Sequence, residues 1–379
     1  MIDLVWNFPL MPGQQEIWSR YLAAGLAESR TQPVESLRPS FRTVEGKLRE
    51  RAANWLGQPF SRTWMTCGGH HGTLNALMAS GLAGTRVAVE GNTYPGFMDQ
   101  CWMTKTSVVA CEIDDEGIVP DSLQELCDRK RKELEPVHGI FTMPTVQNPV
   151  GFVTPLSRRE RIVEIARQFD LTIIEDDAYG FMEDNAPPSY AELAPERAYY
   201  VRGLAKSLAP SARTGFLVAP ENAAASIEAA LRCTATGTDV PQNMAALAIC
   251  EDGVLNQIIK AKREEGRQRN QAARASLGNL CAPGASGAWH LWLRLPEDVE
   301  PGDVEIALKA EDVMATNGQW CAAAPEYRHG LRLALGGEIE RARALEGVAR
   351  VAQVLEDFLK DAQQQDVGYS RDPGYSRIA

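Results

Sequence analysis

Lys206 stands among small residues in the stretch RGLAKSLAPSART (202–214), flanked by Ala205 and Ser207, with Arg213 seven positions further on. A solvated surface lysine needs no such setting, whereas a lysine amine that must form a Schiff base needs close, small-residue surroundings. Two more polar clusters follow apolar runs in the same way. EDDAYG (175–180) puts Asp176, Asp177 and Tyr179 after LTII, and PTVQNPVG (144–151) puts Asn148 after HGIFTM, in a turn shaped by Pro149 and Gly151. A lysine, a carboxylate and an amide form a coherent chemical set where a fold brings them together.

The preceding elements must do that positioning. Short apolar runs recur at RVAVE (86–90), SVVAC (107–111), HGIFT (138–142), LTIIE (171–175), AYYV (198–201) and GFLVA (215–219), with helical sequence between them. Strands alternating with helices predict a layered α/β domain on a mainly parallel sheet. In such a sheet ligands sit beyond the carboxyl ends of the strands, which is where Lys206, Asp176 and Asn148 fall. SRRERIVEIARQFD (157–170) reads as an amphipathic helix capped by Ser157, with Ile162, Ile165, Ala166 and Phe169 on one face.

From about Val254 the texture changes to long charged helical sequence. It is followed by strand-like AWHLWLRLP (288–296), then by helical DVEIALKAEDVMATNG (303–318) and ERARALEGVARVAQVLEDFLK (340–360). The pattern predicts an N-terminal arm over 1–41 that belongs to the small domain, a large domain over 42–244, a smaller α+β domain over 245–362 and a flexible polar tail over 363–379 that repeats GYSR.

At 379 residues the chain suits two domains, and 44% hydrophobic with 23% charged residues describes an ordinary globular protein. A net charge of −11 and a pI near 5.1 argue against a nucleic-acid binder, which needs clustered Lys and Arg. No apolar run reaches the roughly 20 residues of a membrane span. The start MIDLVWNFPLMPGQQ lacks the pattern of a signal peptide, so a cytoplasmic location is expected. The eight cysteines show no CxxC and no regular spacing, which predicts reduced thiols rather than a zinc site or a disulfide framework.

The ordered series TCGGHHGTLNAL (66–77), VEGNTYPGFMD (89–99), QNPVGFVTPLSRRERIVEIA (147–166), IIEDDAYGF (173–181), GLAKSLAPSARTGFLVAP (203–220) and HGLRLALG (329–336) resembles the fold-type I pyridoxal-phosphate enzymes of the class I/II aminotransferase superfamily. Within it the likeness is to the 2-aminoadipate aminotransferase branch, shared with the enzyme half of MocR regulators, and it covers about residues 40 to 355. The resemblance implies a three-layer αβα domain on a mainly parallel seven-stranded sheet, with a smaller α+β domain, pyridoxal 5′-phosphate as cofactor and a homodimer.

Position by position, the resemblance gives Lys206 the role of the lysine that holds the cofactor as an internal aldimine and shuttles a proton. Asp176 matches the carboxylate that pairs with the pyridine nitrogen, which leaves Asp177 as a structural neighbour. Asn148 and Tyr179 match donors to the phenolate oxygen, and Tyr94 the aromatic that stacks on the ring. Gly69, His70 and His71 would approach the phosphate at a helix N-terminus, with Arg213 as its cation, and Arg332 would grip the substrate α-carboxylate. No metal site is expected.

The chain departs from the family pattern in several places. Gly203 and Ala205 stand where serine or threonine is usual, the pair His70 and His71 stands where glutamine is common, and Phe41 replaces a tyrosine that reaches the neighbouring subunit. These departures imply a looser or rearranged phosphate site, or extra room for an unusual substrate. The N-terminal segment WNFPLMPGQQ also lacks the glycine that the family's arm carries where it folds over the substrate, and Trp6, Phe8 and Met11 could equally make an apolar wall there or pack into the core.

The expected reaction is transamination of an α-amino acid to a 2-oxo acid. The alternative is a divergent enzyme performing β/γ-elimination, replacement or C–C bond formation on an activated amino acid such as S-adenosylmethionine. A third reading, a non-enzymatic sensor like the regulators, fits less well with an acidic chain whose enzyme-like sequence begins within about 40 residues of its start.

Overall fold

The computed structural model describes residues 1–32 and 44–369, with residues 44 and 361–369 as backbone alone. Phe41 and most of the GYSR tail lie outside the described residues, although the last helix, Arg341–Tyr369, runs past position 362.

The apolar runs become a seven-stranded sheet. Its order is Thr63–Thr66, Gly215–Val218, Ala198–Gly203, Thr172–Asp176, Gly139–Thr142, Arg86–Glu90 and Ser107–Cys111. The neighbours are parallel except around Gly215–Val218, which is antiparallel to both strands beside it. Ile140, Phe141, Ile173 and Ile174 are buried on alternate faces of the central strands, in two apolar layers. Burial on both faces is what an apolar run without alternation requires. The edge strand Thr63–Thr66 is too short, and too mixed in its sequence TWMT, to announce itself.

Helix Leu156–Gln168 buries Ile162, Val163, Ile165 and Ala166 against the sheet, as its periodicity predicts. Its cap is a correction: the helix starts from Pro155 in extended conformation, so Ser157 lies inside the first turn. A proline cannot donate a backbone hydrogen bond, and a helix start is where that costs least.

A second, four-stranded sheet has the order Ile2–Leu4, Val313–Asn317, Gly330–Ala334 and His290–Arg294. The N-terminal strand therefore pairs with a strand some 310 positions later, parallel, with Ile2 opposite Val313. The predicted helix over 303–318 is also corrected. Helix Pro301–Ala310 stops short, Asp312 turns the chain with φ 56°, and Val313–Asn317 continues as a strand. Val313, Ala315 and Asn317 are buried in alternation, so the period has changed from helical to extended within one apolar stretch.

The N-terminal chain then leaves this sheet. Helix Gln14–Ser29 packs on helix Val240–Glu251 so closely that a Cβ at Gly25 would lie 2.4 Å from Pro241 O. Residues 5–13 thus cross from the small sheet to the large one, over the carboxyl ends of its strands. Among the described residues no helix is long and apolar enough to cross a membrane.

Candidate active site

The crossing closes a cavity of about 380 Å³ over the strand ends. Gly69, His70, Tyr94, Asn148, Asp176, Tyr179, Lys206, Arg213 and Arg332 all line it, together with Gly203 and Ala205. Nine of the ten residues singled out in the sequence therefore meet in one place.

His71 does not line the cavity. Its Nδ1 accepts the Cys67 N–H at 3.0 Å, and its Nε2 meets Thr234 Oγ1 at 2.8 Å, so the ring is tied to the back of the loop. His70 turns inward, with its Nδ1 3.1 Å from Gln100 Nε2 and 3.4 Å from the Tyr94 hydroxyl. The two adjacent histidines have opposite fates because successive side chains in a first helical turn point about 100° apart. Burial lowers the pKa of both, helped by Arg213 for His70 and by His70 for His71.

One wall of the cavity is made by backbone. Helix Gly69–Ala79 begins at Gly68, which has φ 95° and no side-chain cap, so its first N–H groups are left to face the cavity. A Cβ on Gly68 would sit 3.3 Å from the Arg213 guanidinium. Gly203 explains a departure seen in the sequence: a Cβ there would fall 2.7 Å from Gly69 N. The strand end and the loop touch backbone to backbone where a hydroxyl side chain was expected.

Asp176 ends strand Thr172–Asp176 and is buried, with Oδ1 lacking a hydrogen-bond partner in the described chain. Burial first, and then Asp177, pushes its carboxyl up to about 7, against the pull of Lys206. Asp177 points to the other face, where it accepts a hydrogen bond from the Tyr200 hydroxyl. Lys206 Nζ donates to Asn7 O at 2.7 Å and lies 3.4 Å from the centre of the Phe8 ring. Burial, followed by Arg332, brings its amine down to about 7, with further help from Arg213 and Lys262.

Arg332 reaches in from the small sheet. Its Nη1 donates to Asn148 Oδ1 at 2.9 Å, and its Nη2 to Val5 O at 2.7 Å and Thr316 Oγ1 at 2.9 Å. Tyr179 donates to Asn7 O at 3.0 Å, and burial raises its phenol well above the usual range.

Sequence reasoning missed Val5, Asn7, Met143, Ala178 and Thr316. For Trp6, Phe8 and Met11 the sequence leaves an apolar wall and core packing both open, and the structure divides them: Trp6 and Phe8 line the cavity, whereas Met11 packs on the large core. The backbone carbonyls of Val5 and Asn7 carry no residue-type signal, which is why they could not be foreseen.

The model of the family described as aminotransferase class I and II matches residues 30–337. The chain belongs to the class I and II aminotransferases. Over 369 residues it is 26% identical to aromatic-amino-acid aminotransferase 1 of Thermococcus litoralis, covering 89% of this chain and 88% of that one. The HTH-type transcriptional regulator TauR of Rhodobacter capsulatus is 28% identical over 304 residues, but the match spans only 60% of that protein. Among solved structures, LysN, the α-aminoadipate aminotransferase of Thermus thermophilus complexed with N-(5′-phosphopyridoxyl)-L-leucine, superposes with a TM-score of 0.81 at 23% identity. It covers 95% of this chain and 93% of that one. An archaeal alanine:glyoxylate aminotransferase superposes at 0.83 and 22% identity, covering 94% and 91%.

The aminotransferase is a pyridoxal-phosphate-dependent transferase of fold type I. Its cavity fits that cofactor on three independent points. Asp176 Oδ1 is a buried acceptor without a partner among the described residues, as a pyridinium N–H needs. The uncapped helix start beside Arg213 suits a phosphate dianion. Lys206 is an enclosed amine held near neutrality, as Schiff-base chemistry demands.

Proposed function

We propose that Lys206 is the covalent and proton-carrying residue of this aminotransferase and that its donors are α-amino acids, converted to 2-oxo acids. The observation that carries the reading is the convergence of Lys206, Asp176 and Arg332 on one cavity from three separate elements. When bound, pyridoxal phosphate would supply a carbonyl carbon for the donor's amino group and an electron sink for Cα.

The chain's own residues do the rest. Asp176 keeps a positive pyridine nitrogen charged, and the ion pair would draw its carboxyl back below the value it holds alone. Gly69, His70 and Arg213 would hold the phosphate, Tyr94 would stack on the ring, and Asn148, with Tyr179 once its hydroxyl leaves Asn7 O, would donate to the phenolate oxygen. Lys206 Nζ, neutral for part of its population near pH 7, would accept the proton lost from the donor Cα and later give it back. Arg332 binds the α-carboxylate by its fork, exchanging Val5 O for a substrate oxygen. The overall exchange of amino and oxo groups between donor and acceptor balances without an outside oxidant.

The reading uses an N-terminal arm to about 41, a cofactor-binding unit over 42–244 and a small unit over 245–362. It also takes the molecule as a cytoplasmic homodimer. Trp102 and Met103, 79% and 71% exposed beside each other at the end of helix Pro95–Met103, offer an apolar surface for such an assembly. Sedimentation at a monomer mass would remove that part.

The test is to incubate the protein and a Lys206→Ala variant with cofactor, single amino acids and an acceptor 2-oxo acid, and to weigh the products. A 2-oxo acid with the donor's carbon skeleton, formed only with Lys206 present, is the expected result. A product lacking the side-chain substituent, or full turnover without Lys206, would overturn the reading.

A further inference from the structure

Beneath Lys206 lies a second lysine that the proposed chemistry does not use. Lys262 belongs to helix Val254–Leu277, the first long helix after the large sheet, and is 1% exposed. Its Nζ donates to Lys206 O at 2.9 Å and to Leu208 O at 3.3 Å. Among the described residues it has no carboxylate partner. A lysine enclosed without a counter-ion is costly, and an aliphatic side chain would pack there without that cost.

The two carbonyls it holds belong to the turn that presents Lys206. That turn is closed by Leu208 N donating to Leu204 O at 2.8 Å, and its Lys206 side chain lines the cavity while Lys262 does not. Helix Val254–Leu277 is itself pinned at this level, because Trp289 Nε1 donates to Lys262 O at 2.9 Å and Trp289 is fully buried. One residue thus ties the Lys206 turn, the long helix and the Trp289 wall together.

We propose that Lys262 is a positioning residue for Lys206, bonding the carbonyls of its turn from below and adding a positive charge beneath its amine. The inference rests on the reading of Lys206 as the Schiff-base lysine. The charged groups around the Lys206 amine are Arg332, Asp176, Arg213 and Lys262, and Lys262 is the one among them that does not line the cavity. It can therefore act on Lys206 without touching cofactor or substrate. Burial brings Lys262 itself down to about 7, so that it carries a partial charge under the conditions where Lys206 works.

Replacing Lys262 by Met removes both the charge and the two donors. The Lys206 amine then loses a repelling neighbour and gains a looser turn, and both changes move its protonation midpoint upward.

The experiment measures that midpoint in two ways in the full chain: the pH dependence of Lys206 acylation in cofactor-free protein, read by peptide mass, and the pH titration of the visible absorption of the cofactor-bound protein. A wild-type acylation midpoint near neutrality and an absorption lost in Lys206→Ala test the Lys206 reading on its own. With those in place, Lys262→Met should raise the midpoint by about half a unit or more. Lys262→Gln, which retains a donor for the carbonyls but no charge, should shift it in the same direction and remain folded if Met does not. A wild-type midpoint in either folded variant, with only a lower melting temperature, would make Lys262 a merely structural lysine and overturn the proposal.

Discussion

Arg332 and Asn148 share a hydrogen bond of 2.9 Å across the cavity, Nη1 to Oδ1, although one belongs to the four-stranded sheet and the other to a turn of the large one. The contact is the place where both sheets meet the same small-molecule site. It fixes the guanidinium plane with Thr316 on the other terminal nitrogen, so the fork is aimed before any carboxylate arrives. Arg332→Lys keeps a charge but loses the fork, leaving Asn148 Oδ1 and Thr316 Oγ1 short of a donor. The expected loss in kcat/KM for amino acids is about 100-fold or more, roughly 3 kcal/mol of transition-state binding. Steady-state kinetics with one donor checks it, and amines without a carboxylate should lose far less.

A second prediction concerns Asp176 and pH. The carboxyl is raised from 3.8 to about 7, by burial first and then by Asp177. In cofactor-free protein the folded state therefore holds a proton that the unfolded state has released between about pH 4 and pH 7. Unfolding releases protons in that window, so this residue's contribution to stability falls as pH rises through it. Asp176→Asn removes the buried charge, and the cofactor-free variant should be more stable than the wild type at pH 8 by about 1–3 kcal/mol, with the difference shrinking toward pH 5. Its cofactor affinity should drop at the same time. Denaturant titrations at the two pH values decide it; a variant equally destabilised at both would contradict the argument.

Most of this architecture could be read from residue types because the signals were local. Central strands such as Gly139–Thr142 and Thr172–Asp176 announced themselves as short apolar runs, and the polar residues at their ends were the ones that met. What stayed hidden was non-local or sat in the backbone. The strand Ile2–Leu4 needs Val313–Asn317 to exist, and the latter was masked by the helical run before it until Asp312 turned the chain. The carbonyls of Val5 and Asn7, and the close approach of Gly203 to Gly69, leave no mark on residue type. Lys262 looked like one more cation in a charged helix.

Gly203 carries the third prediction. The hydroxyl residue usual at this position would put its Cβ 2.7 Å from Gly69 N and 3.1 Å from Gly69 Cα, so the loop would have to move. That loop holds the uncapped helix start facing Arg213, and its displacement would spoil the anion cradle. Gly203→Ser should therefore weaken cofactor binding tenfold or more, roughly 1.4 kcal/mol, and lower stability by about 1–3 kcal/mol. Fluorescence titration with pyridoxal phosphate measures the first effect. Tighter binding would mean that the missing hydroxyl is simply lost rather than replaced by backbone contact.

The two histidines of the same loop separate structure from function. His71 accepts the Cys67 N–H and meets Thr234, so His71→Ala leaves a half-buried donor without that partner and should cost about 1 kcal/mol of stability. Because its ring faces away from the cavity, cofactor affinity per folded molecule should change by no more than about twofold, or 0.4 kcal/mol. His70→Ala should do the reverse. Its ring lines the cavity beside Tyr94 and Gln100, and removing it frees the Tyr94 hydroxyl from a neighbour at 3.4 Å. Melting temperature should then move little, while cofactor affinity falls severalfold. Measuring both quantities on both variants gives a crossed pattern if the loop works as described. Parallel losses in the two variants would show that the loop cannot be divided between a phosphate side and a packing side.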